Sequence, residues 1–238
     1  MILMQMLFIL LSLEAKTLAS GDGWFRQQRY DRAIGEYTSL QGGERSAETY
    51  WRIARAFVCA GDIAPFPERK QQYENALHAS AEALRLDSSN SNAHTWYAVS
   101  LGSIAVFEGS RMKVEYCRRI QRSLERAIAL DPANDVAYSV LGTFYRMLAN
   151  VGWMERQLAD LLLGGLPAGG YAEAERMLLK AVSLAPSVLR HHYELGLVYV
   201  ESGRLGEAEA VFRHALTLPK TLASDEERIA AIRHQLKQ

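Results

Sequence analysis

The sequence predicts an all-α solenoid of stacked helical hairpins, and three observations predict it. A helical stretch ends four times in a near-identical phrase: Ala83-Leu84-Arg85-Leu86-Asp87, Ala127-Ile128-Ala129-Leu130-Asp131-Pro132, Ala181-Val182-Ser183-Leu184-Ala185-Pro186 and Ala215-Leu216-Thr217-Leu218-Pro219. Ahead of these phrases, small residues recur at helix-pairing positions: Ala54, Ala98, Gly142 and Gly196. They let two helices approach closely. After the last phrase, Ser224-Asp225-Glu226-Glu227 reads as a capping box before a final helix. A hairpin of this kind cannot bury its apolar face alone; it must stack, and the stack makes a curved binding surface.

The elements follow in order. Trp24, Tyr30, Ala33, Tyr37 and Leu40 read as a degenerate first hairpin. The first full repeat has Tyr50, Ile53, Ala54 and Phe57, then Ala76, Ser80 and Ala83. The second has His94, Tyr97, Ala98 and Leu101, then Ile120, Leu124, Ala127 and Pro132. The third has Tyr138, Leu141, Gly142 and Tyr145, then Ala174, Leu178, Ala181 and Pro186. The fourth is the cleanest: His192, Leu195, Gly196 and Tyr199, a capping Gly203, then Ala208, Phe212, Ala215 and Pro219. The halves of the first two repeats are separated by about ten extra residues and those of the third by about twenty. Ile229, Ile232 and Leu236 face one way on the final helix. The prediction is therefore an all-α, tetratricopeptide-like solenoid with lengthened middle repeats and a C-terminal capping helix.

Ile2 to Leu13 is an apolar run broken by Gln5 and Ser12, too short to span a bilayer comfortably. Thr17-Leu18-Ala19 reads as a small-residue cleavage signal, giving a mature start at Ser20. The expected organisation is an export signal over 1–19 and one repeat domain over 20–238, in an exported, periplasmic or secreted chain. An uncleaved membrane anchor and an ordinary first helix are the alternatives. Cys59 and Cys117 belong to no metal-type spacing and read as two buried thiols, with a disulfide as the alternative.

The first helix of each hairpin lines the concave side of such a stack. Projecting the phase places Trp51, Arg55 and Val58 there, followed by Thr95 and Val99, then Ser139, Thr143, Arg146 and Met147, and last Tyr193, Leu197 and Val200. An apolar lining with two arginines suits an acyl chain with an anionic head near Arg55 or Arg146, or else an amphipathic peptide. Packing against neighbouring helices is the plain alternative for Trp51, Met147 and Tyr193. Within the third insertion, Trp153, Met154, Leu158 and Leu161 fall at helical spacing opposite Glu155, Arg156 and Asp160. They make either a lid over the groove or a third helix filling the solenoid. Arg118, Arg119, Arg122 and Arg126 form a stripe suited to phosphate or to a solvated face.

Basic and acidic residues balance at 27 each, which removes bulk charge as an argument for nucleic acid. No phosphate-cradling glycine loop, nucleophile elbow, zinc-protease helix or paired-cysteine site is present, so no enzyme, metal or cofactor is expected. His94 and His192 occupy packing positions, and the adjacent His191 and His192 point about a quarter-turn apart.

Several phrases are more specific than generic repeats. Trp51-Arg52-Ile53-Ala54-Arg55-Ala56 and His94-Thr95-Trp96-Tyr97-Ala98-Val99 resemble phrases of the regulator of microtubule dynamics family. Leu141-Gly142, Trp153, Glu155-Arg156 and Leu161-Leu162 resemble its long third repeat, and Ala215 to Pro219 followed by an acidic helix is also similar. The resemblance covers roughly Gly21 to the C-terminus. It implies the same repeat fold. Because the family includes a mitochondrial outer-membrane tether whose repeat domain binds and moves phospholipids, it also implies a phospholipid or a protein as partner, with peripheral membrane contact. The preference for arginine over lysine, together with the compact single domain, suggests a bacterial relative.

Overall fold

The computed structural model describes residues 17–40 and 46–237, and the apolar run Ile2–Leu13 lies outside them. Twelve α-helices cover most of the described residues. They are α1 (Leu18–Arg26), α2 (Tyr30–Thr38), α3 (Ala47–Ile63), α4 (Phe66–Leu86), α5 (Ser91–Ala105), α6 (Ser110–Leu130), α7 (Asp135–Ala149), α8 (Trp153–Leu163), α9 (Tyr171–Leu184), α10 (Leu189–Glu201), α11 (Leu205–Ala215) and α12 (Asp225–Gln235). No strand occurs among the described residues. Five hairpins, α1/α2, α3/α4, α5/α6, α7/α9 and α10/α11, stack in chain order.

The recurring phrase has a physical task at each end. Ala83, Ala127, Ala181 and Ala215 are fully buried, where a larger side chain would push the helices apart. The Asp that follows makes a tight turn: Asp87 Oδ1 accepts from the Ser89 amide at 2.8 Å, and Asp131 Oδ1 from the Ala133 amide at 2.9 Å. Asn90 and Asn134 then cap the next helix, each side-chain oxygen accepting an amide at 2.9 Å. His94 and His192 staple the same turns, Nε2 donating to the carbonyls of Ser88 at 3.0 Å and Pro186 at 2.8 Å. Gly21, Gly142 and Gly196 mark the close approaches within hairpins: a Cβ there would run into Tyr37, Leu178 and Phe212.

The insertions do three different things. The first two lengthen helices, so that α4 and α6 each reach 21 residues. The third builds α8, which ends on Gly164 at φ 73°, the left-handed conformation that glycine tolerates. At the N-terminal end, Thr17 and Ser20 cap α1 reciprocally, the Ser20 amide donating to Thr17 Oγ1 at 3.2 Å. The residues read as a cleavage signal therefore form the capped start of a helix.

The chain end departs from a simple outer cap. Ile232 is fully buried against α10, but the stretch leading into α12 runs back to the first hairpin, where Leu222 and Ala223 pack on the cluster built around Tyr30 and Tyr37. The expected capping box at Ser224 does not form. Ser224 sits in helical conformation and its Oγ takes Arg228 at 2.8 Å. Asp225 is buried and accepts the Thr221 and Leu222 amides at 2.9 Å each, which fixes the turn that brings the chain back.

Candidate functional site

The residues expected to line the groove separate into three groups. Trp51, Val58, Thr95 and Ser139 are buried packing residues; Thr95 Oγ1 donates to the Ser91 carbonyl and accepts from Asn134 Nδ2 at 3.1 Å. Val99, Thr143, Leu197 and Val200 are half-buried, and Thr143 bonds back to the Ser139 carbonyl. Met147 is exposed. Of the set, Tyr193 lines an inner cavity.

Arg55 and Arg146, expected beside a headgroup, are already held by carboxylates. Arg55 meets Asp22 at 2.9 Å, and Arg52 meets its other oxygen at 3.2 Å. Arg55 also stacks over Phe25 at 3.8 Å and Trp51 at 5.1 Å. Burial works to raise the Asp22 carboxyl. The Tyr37 hydroxyl at 2.6 Å and the two arginines outweigh it and hold it below 3.8. Arg146 bridges Glu194 at 3.2 Å and Glu201 at 2.5 Å. The inner face is therefore charged rather than apolar, and its cations are in large part neutralised.

Beside α12 lies an open cavity of about 430 Å³, lined by Asp62, Arg69 and Tyr73 from the second hairpin, Tyr193 and Glu194 from α10, and Ser224, Glu227, Arg228 and Ala231 from the closing segment. Asp62 and Glu194 are far apart in sequence and face each other here. Arg69 donates to the Ala64 carbonyl at 2.9 Å, and Arg228 is tied to Ser224 and Asp225. Arg190, one turn before Glu194 on α10, is different. It is half-buried beside Asp62, Glu194, Arg228 and Cys59 and makes no hydrogen bond or ion pair with any described residue. Burial and the Arg228 charge pull its affinity for a proton down, against Glu194 and Asp62. Burial likewise raises Asp62 above 3.8, opposed by the Tyr73 hydroxyl at 3.0 Å and by Arg190 and Arg228. The nearby Cys59 thiol is pushed up to about 12, chiefly by burial, which leaves it inert. Both cysteines are free, Cys59 buried and Cys117 half-buried, so the disulfide alternative is not realised. No cluster of three or more metal-ligating side chains occurs among the described residues. The projection of α10 named Tyr193 and Leu197 but passed over Arg190 and Glu194. Their signal was two charges one turn apart on a face expected to look inward.

Helix α8 neither fills the solenoid nor contributes to the lining of this cavity. It buries Ala159 and leaves Trp153, Met154, Leu158 and Leu161 exposed. Arg118, from the expected stripe, caps its end by donating to the carbonyls of Leu163 at 2.6 Å and Gly165 at 2.9 Å. The helix thus stands beside α6. Arg119 bonds the Tyr97 hydroxyl, and Arg122 bonds the Arg118 carbonyl at 3.3 Å.

Stacked hairpins of this kind define a tetratricopeptide-type α-solenoid. A thermophilic tetratricopeptide-repeat protein of Thermus thermophilus shares the fold at a TM-score of 0.67 and 18% identity, over 93% of this chain and 97% of that one. Residues 17–238 match the family described as regulator of microtubule dynamics protein 1-3, and the chain belongs to that family. Regulator of microtubule dynamics protein 2 of Mus musculus is 30% identical over 182 residues, 76% of this chain and 44% of that protein. Protein 3 of Xenopus laevis is 28% identical over 191 residues, 79% and 41%. Protein 1 of Mus musculus is 31% identical over 145 residues, 59% and 47%. The chain thus spans less than half the length of these relatives. They overturn the expectation of an exported bacterial chain, being vertebrate proteins named for microtubule dynamics. No helix among the described residues is long and apolar enough to cross a membrane, and the apolar run of the membrane-anchor alternative lies outside them.

Proposed function

We propose that this chain is a non-catalytic binding scaffold whose inner cavity receives the anionic end of an amphipathic ligand, a phospholipid headgroup. The observation that carries the reading is Arg190, a half-buried cation on α10 beside Asp62 and Glu194 that makes no hydrogen bond with any described residue. A phosphate oxygen supplies an acceptor for it in a strong charge-assisted bond. The cavity wall carries Arg69 and Arg228 against Asp62, Glu194 and Glu227, and Tyr193 adds a hydroxyl for a remaining oxygen. A volume of about 430 Å³ accommodates a headgroup. Family membership supports the phospholipid as the source of that phosphate. The test is calorimetric titration with a soluble short-chain phosphatidic acid. Binding that is lost in Arg190→Met and partly kept in Arg190→Lys supports the reading. Equal binding by wild type and Arg190→Met, or no binding by wild type, overturns it. Arg190-dependent capture of a peptide in place of the lipid would replace it with a protein-scaffold reading.

A further inference from the structure

We infer that α8 and the facing turn of α6 form a docking surface for an anionic lipid bilayer, independent of the inner cavity. The exposed side chains on α8 are large: Trp153 is 75% exposed, Leu161 80% and Leu162 69%, with Met154 and Leu158 beside them. Met154, Leu158, Leu161 and Leu162 recur at intervals of four, three and one, which places them on one stripe. Trp153 stands at its start.

The stripe is held rigidly. Glu155 accepts the Gly152 amide at 3.2 Å at one end, and Arg118 closes the other. Arg156 ties the helix to the Leu148 carbonyl at 2.7 Å. Eleven residues give an apolar edge about 16 Å long, presented to solvent on a single helix.

Charge selects the occupant. Between α6 and α8 lies an open cavity of about 500 Å³, lined by Arg111, Val114, Glu115, Arg118, Leu162 and Leu163. Arginines thus stand directly beside the leucines. Arg122 and Arg126 are exposed on the same face of α6, so the cations there outnumber Glu115 and Glu125, while α8 adds the exposed acids Glu155 and Asp160. Apolar and aromatic side chains that enter the boundary between headgroups and acyl chains, with cations level with the phosphates, are the signature of an interfacial helix. A stripe on a single helix is a ridge, and a bilayer yields to a ridge.

The full chain is mixed with vesicles of phosphatidylcholine alone or with phosphatidylserine, and binding is read by co-sedimentation and by Trp153 emission. We expect binding to the mixed vesicles with a blue shift that disappears in Trp153→Phe. Leu161→Glu combined with Leu162→Glu places charge on side chains already in water, so helicity by circular dichroism is unchanged while vesicle affinity falls roughly tenfold or more. Arg111→Ala weakens binding roughly fivefold, and for the anionic vesicles alone. The double leucine substitution lowers vesicle affinity by the same factor in the Arg190→Met background as in the wild type, which keeps this surface distinct from the cavity. Absence of binding to the mixed vesicles, equal binding by the double leucine variant, or a concentration-dependent dimer that the double variant abolishes without any vesicle binding, overturns the inference.

Discussion

The phenol of Tyr30, in the first hairpin, accepts a hydrogen bond from the amide of Ala223 at 3.0 Å, across 193 positions of sequence. One contact thus ties the two ends of the described solenoid and closes its hollow. An open stack of repeats has nearest-neighbour contacts alone. Closure here couples the first hairpin to the last helix. Burial pushes the Tyr30 hydroxyl up to about 12, so it stays protonated throughout the neutral range.

Replacing Tyr30 by Phe removes the acceptor and leaves the Ala223 amide without its partner. The expected loss is about 1 kcal/mol in urea unfolding. The more telling readout is hydrogen exchange: the amides from Leu222 to Arg228 should exchange faster, while those of α7 and α9 are unaffected. Uniform acceleration along the whole chain would mean that the contact serves global packing rather than closure.

Glycines at the close approaches are expected to be intolerant and those elsewhere permissive. Gly196→Ala drives a methyl into the Phe212 ring and should cost about 1–3 kcal/mol. Gly206, in the first turn of α11, has no atom within 4 Å of where a methyl group would stand, so Gly206→Ala should be neutral or stabilise by about 0.5–1 kcal/mol. Thermal melts of the two variants side by side check the pair.

The fold was legible because each hairpin solves the same packing problem with the same letters. Ala127 and Ala181 recur because their helices allow nothing larger; Gly142 and Gly196 recur because a facing Leu178 or Phe212 takes the room of a Cβ. The helical spacing of Trp153 to Leu163 was equally plain, since it is a local property. The inner site was not legible in the same way. Asp62, Arg190 and Arg228 converge because α12 folds back, and periodicity carries no information on that return. The acids that neutralise Arg55 and Arg146 are likewise distant in sequence: Asp22 in the hairpin before and Glu194 and Glu201 in the repeat after. A phase that places a cation on an inner face is silent on whether an acid waits opposite.

The stapling histidines predict a pH dependence. Burial holds His94 and His192 below the ordinary imidazole value of 6.5, with Arg126 adding to the effect at His94 and His214 at His192, against hydrogen bonds to Ser88 and Pro186. The unfolded chain therefore binds protons that the folded chain resists. Stability from the neutral rings is complete above 6.5 and falls away as pH drops below it. Urea midpoints measured on both sides of that value should decline on the acid side, and the decline should flatten in a His94→Gln, His192→Gln double variant.

Arg146 and Arg190 both reach the inner face, and their replacement by Met should act in opposite directions. Arg146 holds Glu194 and Glu201, each no more than a quarter exposed. Arg146→Met leaves these two carboxylates together without a cation, and should destabilise the protein by on the order of 3 kcal/mol. Arg190 has no such obligation. When it is removed, Asp62, already raised by burial, takes up a proton instead of standing as an unpaired charge. Arg190→Met should therefore melt at or above the wild-type temperature, since its removal breaks no hydrogen bond and relieves the repulsion from Arg228. The gain appears in ligand-free protein, and it should be matched by loss of the thermal shift that short-chain phosphatidic acid gives the wild type. Should Arg190→Met instead lose as much stability as Arg146→Met, the Arg190 charge is compensated within the fold by Asp62 and Glu194, and the cavity has no cation to spare for a ligand.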